Sequence, residues 1–434
     1  MKTLVVGAGT TGIAVARFLL RAGDRVVLTD RVQERTIPDE VRQHAELVLG
    51  AHRVGDFTGA DRIVLSPGVD PRGPELSAAR AAGVPITGEI ELASAHVGGT
   101  LIAITGTNGK STATSLCGAL CAATGRPTFV GGNLGTPLVS AIGTPALAPG
   151  GFCVLELSSY QLETCVTLRP LVAVLLNLTP DHLDRYASME AYGAAKARIF
   201  GAQTCEDFAV VHAEDATCVA LAQKGPPRLV ALPPPDAAEL VLPLPTGTER
   251  YPTSELSLFG HHNLQNAAAA YAAARLAGVP SDAVRTGARG FRALDHRMQL
   301  VGEARQVRYF DDSKGTNVDA VVAAVRGLPT PYVLICGGRD KGGSYAPLAD
   351  AVRGHARAVV LIGEAAPLLE AALGDATPHV RAASMEEAVH RATALAQPGD
   401  AVVLSPACSS FDMFTDYKDR GRRFQAAVAA LPRG

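Results

Sequence analysis

The sequence has little of what marks a membrane, secreted or nucleic-acid-binding protein. Its strongest apolar run, Leu171 to Leu176, falls far short of the ~20 residues that cross a bilayer. From Lys2 the chain runs straight into Leu4-Val5-Val6-Gly7, a short strand and a glycine turn, without the longer apolar stretch and small-residue cleavage site of a signal peptide. There is no basic tail and no clustered Lys/Arg face, and the formal net charge is −2, which argues against a nucleic-acid partner. The eight cysteines show no paired spacing; Cys117 and Cys121 are the closest, and all read as reduced, mostly buried thiols. No repeat recurs at solenoid periods. What remains is an ordinary globular balance, 47 % hydrophobic and 19 % charged over 434 residues. It predicts a cytoplasmic protein of two to four domains, expected to be monomeric.

Three segments each open with a short strand that runs into a Gly-rich or polar turn, at 3–6, 101–104 and 307–310. Within each, short apolar strands alternate with Ala-rich helical stretches, which predicts parallel α/β sheets. In the last segment strands are expected at 332–336, 358–362 and 401–404. Ala82-Gly83-Val84-Pro85 and Ala277-Gly278-Val279-Pro280 each place Gly after a helix and Pro two residues later, a stop signal. Boundaries near residues 95 and 297 give domains 1–95, 96–296 and 297–434. A Pro-rich patch, 226–245, reads as a surface insertion or short edge strands, with helical pattern resuming at Asn263.

The first segment carries Gly7-Ala8-Gly9-Thr10-Thr11-Gly12 between a strand and a helix, and Asp30 ends the next strand. Such glycines let an anion approach a helix N-terminus, and the acid can bind ribose hydroxyls. Alone, this pattern describes a nicotinamide-dependent oxidoreductase, a binder of another diphosphate nucleotide, or a sheet that merely needs a tight first turn.

The second segment carries Gly106-Thr107-Asn108-Gly109-Lys110-Ser111-Thr112 after a strand and before a helix. Backbone N–H groups of such a loop cradle phosphates, Lys110 neutralises them, and Ser111 can hold Mg²⁺. It is a shortened variant, with Ile104 where the common version has its first glycine. Hydride transfer has no need of it. Glu156 ends another apolar strand, where a carboxylate can reach Mg²⁺, and Asp181-His182-Leu183-Asp184 follows a third. Ser188 can cap a helix whose Met189, Tyr192, Lys196 and Ile199 fall on one stripe. A lysine there either snorkels to solvent or serves a site.

These residues resemble the Mur ligase family, which adds amino acids to peptidoglycan precursors. Gly106 to Thr112, Glu156-Leu157-Ser158-Ser159 and Asp181-His182-Leu183-Asp184-Arg185-Tyr186 resemble the family's central ATPase domain. Gly260-His261-His262-Asn263-Leu264-Gln265-Asn266 resembles the segment that contacts adenine, and Asp295-His296-Arg297 the junction to the last domain. Asp312-Ser313-Lys314-Gly315-Thr316-Asn317, Gly337 to Gly342, Ser405 to Asp412 and Tyr417 to Gly421 resemble the members that add D-glutamate to UDP-N-acetylmuramoyl-L-alanine.

The resemblance implies a Rossmann-like first domain that holds UDP rather than NAD, a phosphate-loop ATPase domain, and a Rossmann-like last domain. It assigns Thr10, Thr11, Asp30, Ser66 and Gly68 to the uridine nucleotide, and Asn133 to the muramoyl-peptide precursor. It assigns Asn266, Arg297 and Asp312 to ATP, and Lys314, Thr316, Lys341, Ser410, Phe411 and Tyr417 to D-glutamate. Ser111, Glu156, His182 and Lys196 become ligands of two Mg²⁺ ions, Lys196 as a carbamate. An apolar stripe near a metal disfavours its ammonium form, which agrees. Two positions depart from the pattern: Arg31-Val32 follows the acid where Thr-Arg is usual, and Ala293 stands where Gly is expected. The implied chemistry is acyl-phosphate formation followed by amine attack, with Lys110, Lys196 and His182 catalytic and domain closure keeping water out. Alternatives are a sister ligase such as an L-alanine-adding enzyme or folylpolyglutamate synthase, the oxidoreductase, and a non-enzymatic nucleotide switch.

Overall fold

A computed structural model describes every residue except Leu183, Asp184, Phe259, Ala293, Pro329, Arg433 and Gly434. Two residues of the 181–186 motif and the departing Ala293 therefore lie outside the described residues. The chain forms two compact units. One comprises Met1–Leu178, His182–Glu255 and Gln265–Gly290; the other comprises Thr179–Asp181, Leu256–Leu264 and Phe291–Gly434.

The first unit holds two parallel sheets. In one, β1 (Lys2–Val6), β2 (Arg25–Asp30), β3 (Glu46–Leu49), β4 (Arg62–Leu65) and β5 (Ile86–Gly88) are ordered β3-β2-β1-β4-β5. The order reverses between β1 and β4, which opens a crevice beyond their C-terminal ends. The second sheet contains β6 (Thr100–Thr105), β7 (Thr128–Gly132), β8 (Phe152–Glu156), β9 (Val172–Leu175), β10 (Phe208–His212) and β11 (Arg228–Leu232). Its order is β11-β10-β9-β6-β8-β7, so β6 is flanked by β8 and β9. Its inner strands β6, β8, β9 and β10 are buried on both faces and accordingly read as largely apolar runs, while the edge strands β7 and β11 are only partly buried. The Pro-rich patch supplies the edge strand β11 and opens a hairpin, β12 (Glu239–Leu244) with β13 (Gly247–Pro252). One apolar cluster runs from Val5 and Leu19 through Leu101 and Leu155 to Val211, so the two sheets share a core.

The second unit contains one sheet ordered β14-β15-β19-β16-β17-β18. Its strands are β14 (Gln299–Ala304), β15 (Val307–Asp311), β16 (Tyr332–Gly337), β17 (Ala356–Ile362), β18 (His379–Arg381) and β19 (Ala401–Leu404). The sequence reading opened this segment at Val307 and missed β14 and β18. β14 pairs antiparallel with β15 and is bulged between Leu300 and Gly302, which breaks the alternation that would announce it. Its turn, Arg305-Gln306, takes φ of +52° and +61° without the usual Asn or Gly. β18 has only three residues and no apolar run. Among the described residues no helix is long and apolar enough to cross a membrane.

The Tyr417–Ala429 helix pins this sheet's ligand edge through Arg420, which is 0 % exposed. Its guanidinium donates to Ser313 Oγ at 3.0 Å, to the Ser313 carbonyl at 2.8 Å and to the Cys408 carbonyl at 3.2 Å. It thereby ties the turn after β15 to the turn after β19. Burial lowers its pKa to about 10, yet the cation persists at neutral pH because the surrounding acceptors satisfy its donors. Arg420→Met is expected to lower stability by roughly 1–3 kcal/mol or more, the cost of buried acceptors left unpaired. Urea unfolding measures this, and an unchanged midpoint would count against the clamp.

Candidate active site

Strand β6 ends at Thr105 and feeds the 106–112 loop, which closes onto the Lys110–Ala122 helix. Gly109 is the N-cap and takes φ +83°, and a Cβ there would come within 2.0 Å of Asn266 Oδ1. Only glycine permits both the left-handed turn and the approach of that asparagine. Asn177, just past β9, braces the loop with its Oδ1 accepting the Asn108 N–H at 2.8 Å and its Nδ2 donating to the Asn108 carbonyl at 3.1 Å. Lys110 Nζ donates to the carbonyls of Gly106 at 2.9 Å and Thr107 at 2.7 Å. Ser111 and Thr112 are buried in the first helical turn. From the sequence Asn177 stands at the ligand edge, at the end of the 171–176 apolar run, but its brace on the loop 69 residues away has no local signal.

Lys196 does not snorkel. It is 1 % exposed, and its Nζ donates to the same Gly106 carbonyl at 2.7 Å, beside the Tyr192 ring at 4.7 Å. Tyr192 OH lies 3.3 Å from Thr107 Oγ1, so the Met189–Ala197 helix grips the loop at two points. On the other flank of β6, Glu156 ends β8 and accepts Asn133 Nδ2 at 2.6 Å, while its carbonyl accepts the Asn133 N–H at 2.8 Å. Its second oxygen, Oε2, is buried without a hydrogen-bond partner among the described residues. His182 takes φ +56°, a strained conformation for a non-glycine, and its Nδ1 lies 3.0 Å from Tyr160 OH. Among the described residues no three His, Cys, Asp or Glu side chains form a group able to hold a metal by themselves. A buried carboxylate oxygen lacking a partner, with Ser111 at the loop, instead suits an ion whose remaining ligands come from phosphates and water.

The crevice of the first sheet is a cleft of about 470 Å³, lined by Gly7, Asp30, Arg31, His52, Phe57, Gly68, Arg72 and Glu75 among others. Thr10 is exposed and Thr11 half-buried at the start of the Thr10–Arg21 helix. Gly12 lets that helix pack on the strand turn, since a Cβ there would meet the Gly7 carbonyl at 1.7 Å. Ser66 Oγ donates to that carbonyl at 3.0 Å. Asp30 accepts the Ala8 N–H at 2.8 Å and the Arg35 guanidinium at 3.1 Å. Burial acts to raise its pKa, but the Val32 and Ala8 N–H groups and Arg35 outweigh this and hold it below the usual range. Asp30 thus shapes the Gly7–Gly12 turn as well as facing the cleft. His52 is pushed towards its neutral form by burial and by Arg31.

In the second unit Lys314 Nζ sits 3.9 Å from the centre of the Tyr417 ring, and Lys341 Nζ donates to Thr316 Oγ1 at 3.3 Å. Ser410 is buried and Phe411 is 64 % exposed. Asp312 accepts Ser405 Oγ at 2.6 Å, and burial raises its carboxyl to about 7. His296 Nδ1 bonds Asp311 at 2.7 Å, and the Lys314 N–H donates to the His296 carbonyl at 3.1 Å, which sets Asp311, His296 and Lys314 in one network. Arg420, quoted only inside a motif by the sequence reading, proves to be the organiser of this edge.

Comparison with known proteins follows these three sheets. Residues 1–88 match the MurD-like N-terminal domain of Mur ligases, 104–274 the Mur ligase middle domain, and 296–408 the Mur ligase glutamate ligase domain. The chain is 45 % identical to the UDP-N-acetylmuramoylalanine–D-glutamate ligase of Anaeromyxobacter dehalogenans, covering 98 % of this chain and 96 % of that one. It is also 45 % identical to the enzyme of the same name from Geobacter metallireducens, covering 99 % and 98 %. Solved structures share the fold at low identity. A pseudomurein peptide ligase type C from Methanothermus fervidus gives a TM-score of 0.64 at 17 % identity over 98 % of this chain and 99 % of that one. MurF ligase from Thermotoga maritima, in complex with ADP, gives 0.62 at 16 % over 93 % and 94 %. With all three segments matched and near-complete relatives this similar, the chain belongs to the Mur ligase family, among its UDP-N-acetylmuramoylalanine–D-glutamate ligases.

Proposed function

We propose that this chain is an ATP-dependent ligase that joins D-glutamate to UDP-N-acetylmuramoyl-L-alanine in peptidoglycan precursor synthesis, acting in the cytoplasm as a monomer. The observation that carries this reading is that a chain 45 % identical to ligases of that name holds a phosphate-type loop at Gly106–Thr112 in its first unit and two lysines, Lys314 and Lys341, in its second. An oxidoreductase needs neither feature, and the Gly7–Gly12 turn serves a uridine nucleotide instead of NAD.

The chemistry follows from what an amide requires. A carboxylate resists an amine until one of its oxygens becomes a leaving group. The L-alanyl carboxylate attacks the γ-phosphorus of ATP, the bond to ADP breaks, and an acyl phosphate forms. The D-glutamate amine then attacks the carbonyl carbon, phosphate leaves, and loss of a proton completes the amide. Mg²⁺, when bound, supplies charge neutralisation on the phosphates. Ser111 and the buried Glu156 Oε2 fit it as hard oxygen donors, with His182 and a carbamylated Lys196 proposed beside them.

This chain's own residues divide the rest of the work, in the proposed domains 1–95, 96–296 and 297–434. Lys110 and the loop N–H groups hold phosphates, with Asn266, Arg297 and Asp312 on the nucleotide. Thr10, Thr11, Asp30, Ser66 and Gly68 take the uridine nucleotide, and Asn133 the muramoyl peptide. Lys314 and Lys341 offer cations to the two carboxylates of glutamate, with Thr316, Ser410, Phe411 and Tyr417 around them.

Phosphate release is expected only when ATP, the UDP precursor and D-glutamate are all present, and Lys110→Ala should abolish it while leaving the circular dichroism spectrum intact. Turnover with L-alanine in place of D-glutamate would point to a sister ligase, and turnover without any amino acid to a nucleotide switch.

Replacing Lys314 or Lys341 with Ala should raise the KM for D-glutamate far more than that for ATP. Equal effects on both substrates would contradict an amino-acid role for these lysines.

Carbamylation of Lys196 makes a sharper claim. A neutral amine can add CO₂ to give a carbamate, and a carbamate oxygen suits Mg²⁺ where an ammonium does not. Lys196→Ala should be nearly inactive and partly rescued by a short carboxylic acid with bicarbonate. Wild-type turnover by Lys196→Arg, which keeps the charge but cannot form the carbamate, would refute the idea.

A further inference from the structure

Glu89 is a buried carboxyl that none of the roles above uses. It opens the Glu89–Ser94 helix that leads out of the first sheet, and it is 2 % exposed. Its Oε1 accepts the Val139 N–H at 2.7 Å, and the Leu138 N–H also bears on the carboxyl. These donors belong to the first turn of the Leu138–Ala141 3₁₀ helix, whose N–H groups have no partners within that turn. Oε2 has no hydrogen-bond partner among the described residues. Glu89 also lines a small cavity with Ser66, Pro67, Tyr160, Gln161 and Glu163.

The 3₁₀ helix is the rigid end of the loop that carries Asn133. Leu138 is 0 % and Val139 3 % exposed, so both are locked into the core shared by the two sheets. Between them and β7 the loop is closed by the Gly132 N–H donating to the Thr136 carbonyl at 2.9 Å. At its other end Asn133 is fastened to Glu156 through both side chain and backbone. The helix bearing Glu89 is itself held, because Glu91 accepts the N–H groups of Val166, Thr167 and Leu168 at 3.0, 2.6 and 3.2 Å. The loop therefore hangs between two carboxylates, Glu156 and Glu89.

We propose that Glu89 is a positioning residue for the nucleotide precursor, acting through the Leu138–Ala141 turn to hold Asn133 in its binding orientation. This rests on the reading that Asn133 contacts the precursor. A carboxylate suits the position because the Val139 and Leu138 N–H groups both donate towards it, and Gln would accept without the charge that strengthens these bonds.

Burial raises Glu89 to about 7, against the Val139 and Leu138 N–H groups, which lower it. The titratable groups facing it are Cys153 on β8, Cys165 behind the Ser159–Leu162 helix, Tyr160 and Glu163 at the cavity, and Glu91 on its own helix. A carboxyl raised above its unfolded value near 4.5 adds stability below that pH and loses it as pH rises through about 7. Above that value the anion accepts more strongly. Wild-type KM for the precursor should therefore rise as pH falls below about 7, while the neutral Glu89→Gln variant should show no such limb.

Steady-state kinetics of the full chain test the proposal. At pH 8 Glu89→Gln should raise the precursor KM about tenfold, as expected for losing a charge-assisted bond. KM values for ATP and D-glutamate should stay within about twofold, and the Tm should hold or rise because a buried charge is gone. In an Asn133→Ala background the same substitution should add nothing further to the precursor KM. A uniform loss across all substrates, full additivity with Asn133→Ala, an unchanged precursor KM, or a variant that fails to fold would each overturn it. A wild-type precursor KM in Asn133→Ala alone would instead remove the reading on which the proposal rests.

Discussion

The side-chain nitrogens of two lysines donate to one backbone oxygen, the carbonyl of Gly106, at 2.9 Å from Lys110 and 2.7 Å from Lys196. Lys196 does so with only 1 % of its surface exposed, so the Gly106 carbonyl joins a side chain of the core to one at the loop. Much of the surrounding structure serves to hold that oxygen still. Asn177 clamps the loop from β9, Tyr192 touches Thr107 from the Met189–Ala197 helix, and Asn266 fills the space that a side chain at Gly109 would need.

The three sheets use one principle at different scales. In each, the residues assigned to ligands include one at or just past the C-terminal end of a strand in a parallel pair, because there turns can differ without disturbing the strands. Asp30 follows this rule in the first sheet, Glu156 in the second and Asp312 in the third. The buried cations and anions behind these edges act as tension members. Arg420 ties two turns of the third sheet, and Asp30 fastens the Gly7–Gly12 turn through the Ala8 N–H while still lining the cleft. Low-dielectric surroundings make each such bond strong when formed and expensive when left unmade, so each fixes a single loop geometry.

The cleft of the first sheet is where this chain departs from the expected residues. Arg31 stands after the strand-two acid and reaches Glu75 at 3.4 Å, while Arg35, further along the same turn, reaches Asp30. A guanidinium is thus retained near the cleft from a different position, and His52 with its edge against Phe57 supplies an apolar wall. The cleft thus combines charged side chains, Asp30, Arg31, Arg72 and Glu75, with apolar ones, Phe57 and Leu76.

What the sequence determined by itself is whatever local pattern encodes. Continuous apolar runs mark the buried strands, Gly-x-Pro spacings mark helix ends, and the glycines at 106 and 109 mark the turn from β6 into a helix because spacing within seven residues sets its backbone. Glu156 and Asp30 were legible for the same reason, each being a polar residue at the end of an apolar run. Only the tertiary structure decided the rest. Helical spacing put Lys196 on an apolar stripe but could not say that the Gly106 carbonyl, 90 residues away, lies opposite it. Neither Arg420 nor Glu89 has a local signature, since a lone charged residue at a helix end is usually solvated. Their meaning comes from Ser313, 107 residues distant, and from Val139, 50 residues distant. The physical reason is that burial sets the value of a charge, and burial is a property of what the chain packs against it.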